Sequence, residues 1–307
     1  MKTAFVFPGQ ASQFVGMGAD LYNSKSIAQK YYGIADELFD FSIKDLSFYG
    51  PLLELAQTRV TQPAIFIHSM IVFEELKALG KLPDMVAGHS LGEYSALAAT
   101  GVVDFKTGLE LVKIRSEQMQ IATENNSGTM VAIVGLDYDA IQTVINKSVI
   151  GGVCNIANYN SSNQIVISGD VQTVHSTMLA LKEAGAKRVI ELSVGGAFHS
   201  NLMKSAGEKL KKALDSTAFK PPLWPIYSNV TGTATTDIKE IRERLYLQLT
   251  SPVLWVNSIE NMIKDGAGIF VEIGPGKVLQ GIIKRINSDV IITGVSSAED
   301  LENPEWN

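Results

Sequence analysis

The chain has 307 residues, of which 46% are hydrophobic and 19% charged, and its formal net charge is −6. This length allows one large domain or two smaller ones, and the acidic charge argues against a general nucleic-acid-binding protein, which would normally be basic. The single cysteine, Cys154, excludes an intrachain disulfide and a metal cluster built from cysteines.

The apolar run that opens the chain stops at Pro8 and is too short for the core of a signal peptide. No later apolar stretch reaches the roughly 18 uncharged residues that a membrane-spanning helix needs. We therefore expect a cytoplasmic protein that does not enter a membrane.

Strand-like and helix-like segments alternate through the first 124 residues. Five of them have clear patterns: a strand at 4–7, a helix at 63–79, a short buried strand at 85–88, and helices at 90–99 and 106–123, the last with Asp104 as its cap. Such alternation predicts an α/β fold with parallel strands.

Residues 125–194 follow a different order. Strands at 130–134, 153–156, 164–168 and 188–192 enclose helices at 139–147 and 171–184. The order β-α-β-β-α-β is the ferredoxin-like motif. We predict a small ferredoxin-like domain at 125–194, inserted into a large α/β domain formed by 1–124 and 195–307.

The remainder of the large domain has a helix at 203–214, a strand at 268–273 and a last helix that ends near residue 286. The tail after Ser296 is polar, and we expect it to be loose.

The sequence Gly-His-Ser-Leu-Gly at 88–92 fits the pattern G-x-S-x-G between a strand and a helix. Glycines on both sides of Ser90 allow a sharp turn that exposes the hydroxyl, and the amide of Leu91 can then face a developing oxyanion. The alternative is an ordinary turn in which the serine caps the helix.

A nucleophilic serine needs a base, and the chain has four histidines. His89 lies inside the turn, His68 in an apolar helix and His175 on a polar helix, so structural or solvated roles explain these three. His199 follows a loop of small residues, which can carry a side chain into a cleft between two domains. It is the candidate base, and no sequence pattern indicates an acidic partner.

Arg115 shares a helix face with Gly108, Val112 and Met119. A charge on such a stripe either extends to the surface or is held in a pocket to pair with a carboxylate through two hydrogen bonds. The spacing leaves both explanations open.

Five motifs occur together in one order: FPGQ at 7–10, GHSLGE at 88–93, Arg115, AFHS at 197–200 and EIGPG at 272–276. With them the chain resembles the malonyl-CoA:acyl carrier protein transacylases from residue 5 to about residue 286. The resemblance implies a hydrolase-like core with a parallel sheet plus the inserted ferredoxin-like domain. It also implies Ser90 as nucleophile, His199 as general base and Arg115 as the partner of the malonyl carboxylate.

Four further site residues are implied by the same resemblance. Gln10 and Leu91 match the residues whose backbone N–H groups form the oxyanion hole, and Gln248 matches a residue whose main-chain carbonyl orients the histidine. Phe198 matches a bulky residue that crowds the acyl α-carbon. The chain departs from the family at Ala11, where glycine is usual.

The implied reaction transfers malonyl from malonyl-CoA to the phosphopantetheine thiol of acyl carrier protein through a malonyl-serine intermediate, in fatty acid biosynthesis. It needs no permanently bound cofactor and no metal, and no metal-ligand spacing is present in the sequence. We expect a monomer that binds neither nucleic acid nor membranes. The implied carrier protein is acidic, so docking needs a local basic patch, for which the basic pairs at 187–188 and 284–285 are candidates.

Three alternatives stay open at this point: a serine hydrolase with the same turn, a transferase for another acyl group such as one serving a polyketide synthase, and a binding module with a dead site. Arg115 argues against an esterase of neutral acyl groups. The presence of both Ser90 and His199 argues against a dead site. The sequence distinguishes poorly between a malonyl transferase and a transferase for another acyl group.

Overall fold

The structure is a computed structural model that describes residues 1–192, 194–304 and 306. The strands are β1 (Lys2–Phe7), β2 (Met85–Gly88), β3 (Gly128–Val134), β4 (Cys154–Ser161), β5 (Gln164–Asp170), β6 (Arg188–Glu191), β7 (Ile226–Tyr227), β8 (Ala234–Thr235), β9 (Ala267–Ile273) and β10 (Ile291–Val295).

The helices are α1 (Ala19–Ser24), α2 (Ser26–Leu38), α3 (Ile43–Tyr49), α4 (Leu52–Leu55), α5 (Thr58–Ala78), α6 (Gly92–Ala99), α7 (Phe105–Asn125), α8 (Tyr138–Ser148), α9 (Val171–Glu183), α10 (Lys204–Ser216), α11 (Ile238–Leu247), α12 (Trp255–Lys264), α13 (Val278–Ile286) and α14 (Ala298–Glu302). Single turns of 3₁₀ helix lie at Asn201–Met203 and Gln248–Thr250. No helix in the described part of the chain combines the length and apolar character needed to cross a membrane.

The larger sheet has the strand order β10-β9-β1-β2-β7-β8 and is parallel except for the β7–β8 pair. Its central strand β1 is apolar at consecutive positions because both faces of the sheet are covered. Phe5 and Phe7 pack into one hydrophobic cluster, and Ala4 and Val6 pack into another. The loops that follow the parallel neighbours β1 and β2 therefore meet at one edge of the sheet.

The second sheet is antiparallel, with the order β4-β5-β3-β6, and helices α8 and α9 pack against each other over it. This order of strands and helices confirms the predicted ferredoxin-like motif inserted in an α/β fold. Backbone hydrogen bonds join the second sheet to the segment between the 3₁₀ turn at Gln248–Thr250 and α12. The N–H of Tyr159 on β4 donates to the carbonyl of Val253 at 2.8 Å, and the N–H of Val253 donates to the carbonyl of Ala157 at 2.8 Å.

Two sequence expectations are wrong. The helix expected from Ser90 begins at Gly92, because Ser90 has a left-handed backbone with φ of 52°. The tail after Ser296 is not loose in its described residues, 297–304 and 306: Ser297 and Asp300 form a reciprocal capping box that starts α14, and the ring of Trp306 packs edge-on against Phe5 at 6.1 Å. Local capping and one aromatic contact outweigh the polar composition of this segment.

Candidate active site

The serine turn, residues 88–92, joins the end of β2 to the start of α6. Its two glycines are required by space: a β-carbon on Gly88 would lie 1.9 Å from the carbonyl carbon of Gly92, and one on Gly92 would lie 2.0 Å from the carbonyl oxygen of Phe7. These approaches are below any van der Waals contact, so only glycine fits. The turn therefore brings Ser90 to the edge of the sheet in the strand–turn–helix context that the motif predicts.

Ser90 and His199 lie within hydrogen-bond distance, although 109 residues separate them. The Oγ atom of Ser90 is 2.8 Å from Nε2 of His199, and Nδ1 of His199 is 2.8 Å from the main-chain carbonyl of Gln248. A carbonyl only accepts, so Nδ1 carries the proton and Nε2 is free to accept one from the hydroxyl. Burial, reinforced by the nearby Arg115 guanidinium, lowers the pKa of His199 to about 3, which keeps the imidazole neutral and able to act as a base.

Arg115 is buried, with 1% of its surface exposed, so it does not extend to the surface. Its Nη1 donates to Oε1 of Gln62 at 2.7 Å, and its Nη2 donates to Ser90 Oγ at 3.1 Å and to Oε1 of Gln248 at 3.0 Å. The guanidinium also lies over the ring of Tyr94, 5.4 Å from its centre. A charged group held beside the serine by neutral acceptors is ready to pair with an anion.

The backbone around Gln10 and Leu91 fits an oxyanion-binding role. Both residues line the cavity at Ser90, and neither N–H donates a hydrogen bond within residues 1–192, 194–304 and 306. Ala11 has a left-handed backbone with φ of 84°, and its N–H donates to the side chain of Gln13 at 2.8 Å. The alanine thus adopts a conformation that glycine takes more easily, which explains the family's usual residue at this position.

The cavity above Ser90 has a volume of about 440 Å³ and is lined by residues of the second sheet and of the loops that follow β1 and β2. Its wall includes Phe198, which is almost fully buried next to His199, together with Met119 and Val166. Lys277 and Arg285, from α13 and the residue before it, also line the cavity. The site is therefore a chamber of mixed polar and apolar lining, with Ser90 at its base and two cations in its wall.

The model of the acyl transferase domain family matches residues 4–301. The chain belongs to this family. It is 44% identical over 302 residues to the malonyl CoA-acyl carrier protein transacylase of Bacillus subtilis (strain 168), an alignment that covers 98% of this chain and 95% of that protein.

Two solved structures of acyl transferases resemble this chain over nearly its whole length. An acyl carrier protein S-malonyltransferase from Vibrio cholerae has a TM-score of 0.95 and 39% identity, with 99% of this chain and 100% of the other covered. A malonyl-transacylase in complex with its type II PKS acyl-carrier protein has a TM-score of 0.94 and 37% identity, with 98% of each chain covered. The predicted family and fold class are confirmed.

The other histidines of this acyl transferase differ from His199. His68 is fully buried, as expected for a core residue, and His175 is half-exposed and 3.2 Å from Glu191. His89 has its Nε2 2.9 Å from Oδ1 of Asn160, and it lines the cavity at Ser90. Among the residues described, no group of three or more His, Cys, Asp or Glu side chains could hold a metal ion.

Three buried polar residues of the site are not found by the sequence analysis. Gln62 holds Arg115, Glu93 accepts from Nε2 of Gln248 at 2.5 Å, and Asn229 contacts the serine turn. Burial raises the pKa of the Glu93 carboxyl to about 7. Two of the three could have been found from the sequence. Glu93 ends the GHSLGE motif, and Gln62 is a polar residue in an apolar run. Asn229 lies in a loop without any local pattern.

Proposed function

We propose that this acyl transferase moves a malonyl group from malonyl-CoA to the phosphopantetheine thiol of an acyl carrier protein, through a malonyl ester on Ser90. The observation that carries the proposal is the buried guanidinium of Arg115, 3.1 Å from the serine hydroxyl. A neutral acyl group has no use for that charge, whereas the malonyl carboxylate pairs with it. The names of the Bacillus relative and of the Vibrio structure support the same substrate class.

In the first half-reaction, Nε2 of His199 takes the hydroxyl proton while Oγ of Ser90 forms a bond to the thioester carbon. The carbonyl oxygen becomes an oxyanion that the N–H groups of Gln10 and Leu91 stabilise. As the oxyanion collapses, the carbon–sulfur bond breaks and His199 returns its proton to the coenzyme A thiolate. The carbonyl of Gln248 keeps the imidazole oriented throughout, in place of a carboxylate.

In the second half-reaction, the carrier's thiol gives its proton to His199 and its sulfur attacks the ester carbon. The same N–H groups bind the oxyanion, and the Ser90 oxygen leaves with the proton from His199. Water must be excluded, since it would hydrolyse the ester. Burial of both His199 and Arg115 supports this exclusion.

The acyl carrier protein is the proposed partner, and the structure solved with such a carrier supports it. Lys284 and Arg285 end α13, and Arg285 lines the cavity, so this basic pair fits the docking site better than Lys187 and Arg188 on the second sheet. An acidic carrier bound there would direct its thiol to Ser90.

Fatty acid biosynthesis is the proposed pathway, and the PKS complex makes polyketide synthesis the second candidate. We further propose a cytoplasmic monomer without a permanent cofactor, and domain boundaries at 125 and 194. The chemistry at Ser90 is the same for a carrier from either pathway.

The test is intact-mass measurement after mixing the protein with malonyl-CoA, and separately with acetyl-CoA. We expect a malonyl-sized adduct on the wild type and none on Ser90→Ala. Ser95→Ala, which removes a buried hydroxyl from the same helix, serves as the matched control and should keep the adduct. An undiminished adduct on Ser90→Ala would refute the proposal.

A further inference from the structure

Asn229 lies beneath the serine turn and is fully buried. Its Oδ1 accepts the backbone N–H of Ser90 at 2.7 Å, and its Nδ2 donates to the carbonyl of Gly88 at 2.6 Å. One amide therefore binds the backbone on both sides of His89. Asn229 is not among the residues that line the cavity at Ser90, and its amide is engaged by the backbone of the serine turn.

The serine turn needs such a partner for two reasons. Ser90 has φ of 52°, a backbone conformation that residues with a β-carbon seldom adopt without support. Its N–H also donates to no backbone carbonyl within the described ranges, and an N–H that is shielded from water needs an acceptor. Asparagine is suited to the place because its amide donates and accepts at once.

Asn229 is itself held in place. The N–H of Leu254 donates to its carbonyl at 2.8 Å, and Nε2 of Gln248 lies 3.3 Å from its Oδ1. Gln248 Nε2 also donates to the carbonyl of Ser90 at 2.9 Å. The residue whose carbonyl orients His199 is thus connected to the residue that holds Ser90.

We infer that Asn229 is a positioning residue: its amide holds the proposed nucleophile in the left-handed turn and takes up the N–H of Ser90, so that the N–H of Leu91 remains the turn's donor to the oxyanion. The inference rests on the proposed function of Ser90. It assigns Asn229 no contact with substrate, so its loss should lower the rate of acylation without weakening the binding of malonyl-CoA.

The experiment compares Asn229→Ala and Asn229→Asp with Asn261→Ala. Asn261 is a matched control, because its Nδ2 also donates to a backbone carbonyl, that of Gly232, at 2.8 Å and away from the site. Three quantities are measured on each protein: the rate and KM of acylation by malonyl-CoA, the rate of labelling by a fluorophosphonate, and hydrogen exchange in a peptide covering 85–95.

We expect Asn229→Ala to lower both rates by about a hundredfold, as a displacement of about 1 Å at a reacting group does, with KM changed less than about threefold. Exchange in the 85–95 peptide should become faster. Asn229→Asp keeps the acceptor for Ser90 and loses the donor to Gly88, so it should fall between wild type and Asn229→Ala. Asn261→Ala should match the wild type.

The inference is overturned if Asn229→Ala shows wild-type rates and wild-type hydrogen exchange. It is also overturned if Asn261→Ala loses as much of both rates as Asn229→Ala does, because that would indicate general destabilisation. If Asn229→Ala does not fold, Asn229→Asp decides: normal rates with normal exchange refute the positioning role. Fluorophosphonate labelling separates the two proposals. A wild type that labels but gains no malonyl group disproves the proposed function, while labelling of the variants still tests Asn229.

Discussion

Replacing Arg115 with alanine tests whether the buried guanidinium selects a charged acyl group. The guanidinium now donates to the neutral acceptors Gln62, Gln248 and Ser90. A malonyl carboxylate would replace some of these with two charge-assisted hydrogen bonds, each contributing about 1.5–3 kcal/mol. At about 1.4 kcal/mol for each factor of ten, Arg115→Ala should slow malonyl acylation by roughly two to four orders of magnitude.

Acetyl acylation should lose far less in the same variant. An acetyl group has no carboxylate to pair, and removal of the cation relieves part of the effect that lowers the pKa of His199. Arg115→Lys should recover only part of the malonyl rate, because an ammonium cannot present two donors in one plane.

The assay follows malonyl and acetyl acylation by rapid quench and intact-mass measurement. The quantity compared between proteins is the ratio of the two rates. Arg242→Ala is the matched control: the guanidinium of this arginine is also held by hydrogen bonds, here to the backbone carbonyls of Leu214 and Thr217, but it lines a separate pocket. Its ratio should equal that of the wild type. If both rates fall equally in Arg115→Ala, the arginine is structural and the preference for a charged acyl group loses its physical support.

Four further predictions follow, two on the proposed base and one each on the acyl wall and the oxyanion loop. His199→Ala should slow acylation by at least about a hundredfold. In the wild type, the lowered pKa of His199 keeps the base neutral as the pH falls. Malonyl acylation should therefore persist at about pH 5. A pH–rate profile in which the rate falls at the ordinary histidine pKa would contradict this. Phe198→Ser should admit methylmalonyl groups better, by the roughly 1–3 kcal/mol that one methyl group is worth, and unchanged competition between methylmalonyl-CoA and malonyl-CoA would assign selectivity to another wall. Ala11→Gly removes left-handed strain of about 1–2 kcal/mol and costs about 0.4–1 kcal/mol in entropy of the unfolded chain. Urea unfolding should therefore show a free energy of unfolding that is higher by roughly 0.5–1 kcal/mol. A lower free energy of unfolding would mean that Ala11 is unstrained.

Patterns within a segment were enough to predict the second sheet and strands β1, β2 and β9 of the larger sheet, but not β7, β8 and β10 or the helices α11 and α12. Alternation of strands and helices indicated the α/β core, and the order between 125 and 194 indicated the antiparallel sheet. The helices between 19 and 55 were also missed: α1, α3 and α4 have four to seven residues, too few to show a helical period, whereas α2 has 13 residues and its period was overlooked. The tail escaped because burial of Trp306 depends on a partner, Phe5, at the other end of the chain.

The residues of the site also divide into those that were predicted and those that were not. The sequence predicted that Ser90, His199, Arg115 and Gln248 belong together, and the structure places them within one hydrogen-bonded network. Asn229, which accepts the N–H of Ser90, was not predicted, because it lies in none of the motifs that carry the resemblance and no local pattern marks it. A single polar residue in a loop acquires its role only when the chain folds, and no spacing in the sequence indicates that role.

The backbone bridge between Val253 and β4 links the second sheet to the proposed base. A hinge motion that moved β4 away from Val253 would break the hydrogen bonds from Tyr159 and to Ala157. Val253 lies a single turn of chain beyond Gln248, whose carbonyl accepts from Nδ1 of His199. The backbone that pairs with β4 and the carbonyl that orients the imidazole therefore belong to one short segment, so that a displacement of the second sheet is expected to disturb the alignment of His199.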